Sequence, residues 1–157
     1  MKKDDFNFEI LDRHPKDAIK FFKMMMRLEY SLKEYRYARR KGSTVEVTWD
    51  EFAKKLGKDF FRRIKNSGIL KQLLEHPPKR QTLEDNRLLW ESVTEISNVQ
   101  ELLGAVRRVR NNLFHGGKHG DPDSERNDDL ISDCITVIEK ILENDDVLNT
   151  IFSGRKY

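Results

Sequence analysis

From Ala18 onward the apolar residues Ala18, Phe21, Met25, Leu28, Leu32 and Tyr35 recur at steps of three and four. Only a helix places such positions on one face, because its repeat is about 3.6 residues per turn. A second stripe, Ile19, Phe22, Met26, Tyr30 and Tyr37, runs beside the first. One helix is therefore expected from about Pro15 to Lys41, with proline at its first turn and Gly42 ending it. Its apolar surface is wider than one contact needs, so it suits a core on one side and a partner chain on the other.

The same period recurs downstream. Thr48-Trp49-Asp50-Glu51 reads as a capping box that starts a helix at Trp49. Phe52, Leu56, Phe60 and Ile64 continue that helix, Gly57 is a candidate break, and Asn66-Ser67-Gly68 a stop. A short helix is expected over Ile69 to Glu75, before Pro77-Pro78. Ser97-Asn98-Val99-Gln100 reads as another capping box, followed by Leu102, Val106, Val109 and Leu113. Gly116-Gly117 end that helix. Asp121 then caps a long helix with Pro122 at its first position and a core face of Ile131, Cys134, Ile138 and Ile141. Leu130, Ile135 and Leu142 flank that face, and a last helix covers Asp145 to Phe152. Two stretches resist the period. Thr44–Thr48 alternates like a strand but has no evident mate, and Lys79–Asn98 reads equally as a helix or a packed loop. The expected fold class is all-α: a single antiparallel helical bundle over residues 1–157, with a helical insert at about 42–97 between the first long helix and the helix before Gly116.

The 157 residues carry a net charge of +3, with 36% charged and 37% hydrophobic residues. Nine Phe, four Tyr and two Trp argue against disorder, and the mild basicity is weak evidence for a polyanionic partner. One cysteine, Cys134, excludes an internal disulfide and fits a reducing compartment. The opening MKKDDFNFEILDRHPKD has no long apolar run, so neither a signal peptide nor a membrane anchor is expected, and the expected location is cytoplasmic.

Chemistry concentrates in Arg110 to Gly120, RNNLFHGGKHG. Cations near a helix C-terminus are favoured by the helix dipole, so Arg107, Arg108, Arg110 and His115 have a purely structural explanation available. Arg110 and His115 differ by roughly 140° around an ideal helix, so one chain does not stack them on a single face. Two copies, each contributing a motif to a common cleft, make the arrangement more natural. His115 and His119 have the spacing of a metal pair, but Gly116, Gly117 and Gly120 deny them a helical face, and no metal or other cofactor is expected. Met24–Met26 and Cys134 read as core, His14 and His76 as residues at helix boundaries, and Trp49 and Trp90 as packing for the insert.

The run Arg110-Asn111-Asn112-Leu113-Phe114-His115-Gly116 resembles the arginine, four-to-six residues, histidine motif of the HEPN superfamily (higher eukaryotes and prokaryotes nucleotide-binding domains). The polar Asn111 after the arginine, the apolar Leu113-Phe114 before the histidine, the following glycine and the placement between two long helices carry the likeness. It covers the chain outside the insert. The resemblance implies a metal-independent endoribonuclease acting as a homodimer on RNA, with Arg110 and His115 as the catalytic pair and Asn111 in support. Some toxin members carry a tyrosine two residues after the histidine; here that position is Gly117. Other members have lost catalysis and act as RNA- or nucleotide-binding modules. A toxin, phage-defence or RNA-processing setting is compatible with the resemblance, and a toxin requires an antitoxin protein. Arg107, Arg108, Lys118 and Arg126 either track an RNA backbone or form a solvated basic face.

Overall fold

The structure is a computed structural model that describes residues 8–116 and 124–155. Among them are five α-helices and two antiparallel two-stranded sheets, so the fold is mixed α/β and the all-α expectation is overturned. The order is a 3-10 turn at Phe8–Asp12, then α1 (Ala18–Glu34), β1 (Ala38–Lys41), β2 (Thr44–Val47), α2 (Trp49–Asn66), β3 (Arg80–Glu84), β4 (Arg87–Glu91), α3 (Val99–Phe114), α4 (Ser124–Asn144) and α5 (Asp146–Phe152). The expected cap at Asp121-Pro122 lies outside the described residues.

The first correction is where α1 stops. Arg36 adopts a left-handed backbone, φ 72°. The Tyr37 N–H donates to the Leu32 carbonyl at 2.8 Å and the Arg36 N–H to that of Lys33 at 3.0 Å. This is a Schellman closure with arginine where glycine usually sits, so the sequence carries no punctuation there. The chain then reverses at Gly42, and Ala38–Lys41 becomes the mate that Thr44–Val47 lacked, with Ala38 opposite Val47 and Lys41 opposite Thr44. Gly42, φ 59°, closes a hairpin instead of ending a helix.

The second correction is the expected insert. α2 is no appendage: Phe52, Ala53, Leu56, Phe60, Phe61 and Ile64 are buried in the common core. Thr48 precedes α2 but makes no capping bond, and its hydroxyl is buried with no hydrogen-bond partner among the described residues. Gly57 (φ 77°, ψ 174°) does break the helix, as its position suggested. No helix forms over Ile69–Glu75. There the buried Asp133 carboxylate of α4 accepts from the Gln72 and Leu73 N–H groups at 2.7 and 2.8 Å, and turns bury Leu70, Leu73 and Leu74 instead. The illegible stretch contains the β3–β4 hairpin. Asp85 and Asn86 both have positive φ, which is the two-residue reversal that suits strand twist. Its leucines Leu83 and Leu88 face each other and are exposed.

The remaining helices follow the apolar pattern. α3 is capped one residue later than expected: Asn98 accepts from the Glu101 N–H at 2.8 Å, while the Glu101 carboxylate accepts from the Ser97 N–H at 2.7 Å. Ile131, Cys134, Ile138 and Ile141 of α4 are all buried, as are Leu130, Ile135 and Leu142. α1 packs its buried stripe against α4 and α5, and Arg27 donates to the Ile151 and Phe152 carbonyls at 2.9 and 2.8 Å, a cation at the end of α5.

Asp145 ties three elements together. It caps α5 by accepting from the Leu148 N–H at 3.0 Å, and it accepts from the Lys55 ammonium of α2 at 2.5 Å. Lys55 also donates to the Tyr35 hydroxyl at the end of α1. Burial raises the Asp145 pKa, but the Leu148 N–H and Lys55 outweigh it, and the net shift is downward. Its contribution is therefore present above the unfolded value near 3.9 and lost as pH falls through the lower folded value. An Asp145→Ala protein is expected to unfold with about 2 kcal/mol less stability at pH 7, most of it from the lost cap. Urea melts should show that gap narrowing below about pH 4; a gap that widens in acid would disprove the assignment.

Candidate active site

The last two turns of α3 hold the motif, and α1 crosses beside them. Val109 and Asn112 turn into the core, which leaves Arg110 half-buried against α1 and Asn111 exposed. The Arg110 guanidinium donates to the Glu29 carboxylate of α1 and, through Nε, to Asn111 Oδ1 at 3.1 Å. Two of its five N–H donors are thereby used, and the other three have no partner among the described residues. Burial lowers the Arg110 pKa from its ordinary value, yet a guanidinium keeps its charge at neutral pH. Asn111 thus holds the arginine from the neighbouring position.

His115 occupies the C-cap of α3, its N–H donating to the Asn111 carbonyl at 3.0 Å. Gly116, φ 75°, follows in the left-handed region, so the helix cannot continue and His115 stays at the exposed tip. Its ring stands edge-on to Phe114, centroids 5.4 Å apart. Phe114 is 70% exposed, and its ring meets Phe22 of α1 at 5.7 Å. No hydrogen bond joins the Arg110 and His115 side chains: the guanidinium is drawn toward α1, while the imidazole faces outward.

Phe22 and Glu29, which meet the motif, lie on one stripe of α1 with Ile19, Met26 and Tyr30. Those three are 54%, 62% and 49% exposed. The second apolar stripe read from the sequence therefore faces outward beside the motif, except where Phe22 and Tyr37 are partly covered.

The flanking cations have internal duties. The Arg107 guanidinium lies 5.3 Å from the Trp49 ring centre, and its Nε is buried with no hydrogen-bond partner among the described residues. Arg108 donates to the Pro78 carbonyl at 3.2 Å, and burial, then the charge of Arg80, lowers its pKa. Arg126 donates to the Pro77 carbonyl at 3.1 Å. The buried Asn112 donates to the Lys79 carbonyl at 3.0 Å. Together they pin residues 77–79 to α3 and α4, just ahead of β3. Lys118 lies outside the described residues, as do His119 and the Asp121–Asp123 segment.

Glu29, Phe22 and Asn112 are the site-shaping residues that sequence reading missed. Glu29 is one of many acidic residues on helical faces, and only the crossing of α1 over α3 singles it out. Cys134 is fully buried, and its thiol pKa is pushed up by burial and by Asp133, which suits a core residue and not a nucleophile. Among the described residues, no three His, Cys, Asp or Glu side chains are grouped to hold a metal ion. No described helix is long and apolar enough to cross a membrane.

No protein-family model, no curated protein and no solved structure matches this chain.

Proposed function

We propose that the chain is a HEPN-type, metal-independent endoribonuclease that acts in the cytoplasm as a homodimer. The supporting observation is that Arg110, with three donors unpartnered among the described residues, and the exposed His115 lie with Phe114 beside the uncovered α1 stripe of Ile19, Met26 and Tyr30. A second copy laid on that stripe shields apolar surface and doubles the cations and imidazoles along one crevice.

RNA carries its own nucleophile. The 2′-oxygen bonds to phosphorus as a base takes its proton, and the bond to the 5′-oxygen breaks as an acid protonates that oxygen. The products are a 2′,3′-cyclic phosphate and a 5′-hydroxyl end. One imidazole suits either proton transfer, and two copies supply one for each. The free Arg110 N–H groups match the equatorial oxygens of the phosphorane and stabilise its charge. DNA has no 2′-hydroxyl and is not a substrate by this route. Toxin–antitoxin pairing, phage defence and RNA processing all suit such an activity, and the first requires an antitoxin protein.

End-labelled RNA incubated with the purified protein in EDTA is expected to yield fragments ending in a cyclic phosphate, with DNA of the same sequence intact. Uncut RNA, or fragments ending in a 3′-hydroxyl, would sink the proposal. A non-catalytic module that binds RNA or nucleotide is the second reading. What favours it is Glu29, whose carboxylate already occupies part of Arg110. RNA retained without cutting selects it.

The dimer has its own test. Burying a methionine or tyrosine side chain stabilises association by about 1.5–3 kcal/mol. Met26→Glu with Tyr30→Glu is therefore expected to weaken dimerisation at least about tenfold in sedimentation equilibrium and to lower cleavage in parallel. Unchanged association would place any dimer contact elsewhere.

A further inference from the structure

A second site lies at the opposite end of α3. There α2 and the start of α3 enclose a cavity of about 640 Å³. Four cations of α2 line it: Lys54, Lys58, Arg62 and Lys65. They recur at steps of four, four and three, and all four are exposed. The Gly57 break, where the backbone leaves helical angles, opens between the first two. The apolar lining of the cavity comes from Ala53, Phe61 and Val99, all largely buried.

The charge here is largely unspent. Among the described residues, Lys54, Lys58 and Lys65 have no carboxylate within ion-pairing distance, and Arg62 has only Asp59, 3.2 Å away on the same helix and exposed. Such an exposed pair contributes little. The Ser97 and Asn98 side chains on the other wall are committed to Glu101 and to the α3 cap. Lys58, Arg62 and Lys65, a helical turn apart beyond the Gly57 break, repel by a few tenths of a kcal/mol per pair, so an empty pocket holds its cations at a cost that a bound dianion removes. A phosphate monoester is such a dianion near neutral pH.

We propose that this cavity binds a small organic phosphate monoester: the phosphate on the cationic rim, and a flat apolar body against Phe61 and Val99. The volume falls within the range of small-molecule sites. A polyanion running from here to the motif fits less well. α3 has 16 residues, so its ends are about 24 Å apart, and the arginines between them are not free to form a track. Arg107 is engaged with Trp49 and Arg108 with Pro78.

Adenosine monophosphate, adenosine and inorganic phosphate are titrated into the full chain by calorimetry, and a 12-mer RNA with a 5′-hydroxyl end into the full His115→Ala chain, so that cutting does not obscure binding. Adenosine monophosphate is expected to bind one per chain, at least about tenfold tighter than adenosine or phosphate alone, because both halves of the pocket contribute. Lys58→Glu with Arg62→Glu should abolish that binding while the far-ultraviolet melt stays in place, since both side chains are exposed. The His115→Ala protein should bind as the parent does, so a failed ribonuclease reading leaves this result intact. Equal affinity for adenosine, affinity unchanged by the charge reversal, or tighter binding of the RNA through these same lysines would each overturn the proposal.

Discussion

A His115→Ala protein is expected to cut RNA roughly 10²–10⁴-fold more slowly than the parent, the range for removing one positioned proton-transfer group. Its stability should hardly change. The imidazole is exposed at the end of α3, and its only described side-chain contact is the edge of Phe114. The cap itself is a backbone bond, from the His115 N–H to the Asn111 carbonyl, and survives the truncation. Loss of cutting without loss of folding is therefore the signature of a catalytic group. Arg110→Ala should reduce the rate as well, but with a structural cost, because the half-buried Glu29 carboxylate then loses its cation. Arg110→Lys is not expected to restore activity: an ammonium cannot hold Glu29, Asn111 and a phosphate in one plane. The comparison also guards against contaminating ribonuclease, which would cut equally in every preparation. If the His115→Ala protein keeps the parental rate, the motif is not the site of chemistry.

The largest effect on stability is expected at Phe52. Its ring is fully buried in the first turn of α2 and meets the edge of Tyr37 at 5.2 Å. Tyr37 leads into the β1–β2 hairpin, and its N–H closes α1. Truncation to alanine leaves a ring-sized cavity where hairpin and helices join, and Phe52→Ala should cost about 3–5 kcal/mol. That is a large part of the stability of a domain this size. Leu88→Ala on the exposed face of the β3–β4 hairpin should stay within about 0.5 kcal/mol. Urea unfolding of the two variants distinguishes a hairpin built into the core from one that projects from it. A Phe52→Ala cost below about 1 kcal/mol would mean that the β1–β2 junction is not part of the cooperative core.

Helix interiors were legible because burial of one face leaves a 3.6-residue trace. The stripe Phe21, Met25, Leu28 and Leu32 is buried as written, and so is Ile131, Cys134, Ile138 and Ile141. Ends were less legible. α1 closes on Arg36 in a conformation usually given to glycine, and Asp133 satisfies the backbone of residues 72–73 from sixty positions away. The strands leave the weakest trace in the sequence. Ala38–Lys41 reads as the tail of a helix until its partner is known, and β3–β4 shows exposed leucines instead of a core pattern.

In the candidate site, the sequence alone determined the motif residues and the break after His115, because glycine following a helical run stops it locally. It also marked the two apolar stripes of α1, since periodicity is a property of neighbours along the chain. Only the tertiary structure decided that Glu29 holds Arg110, that Arg107, Arg108 and Arg126 are engaged in packing Trp49 and pinning residues 77–78, and that the second stripe borders the motif. Those pairings join residues from about thirty to more than eighty positions apart. They depend on how helices cross, and crossing is set by side-chain packing in three dimensions, which leaves no local trace in the order of residues.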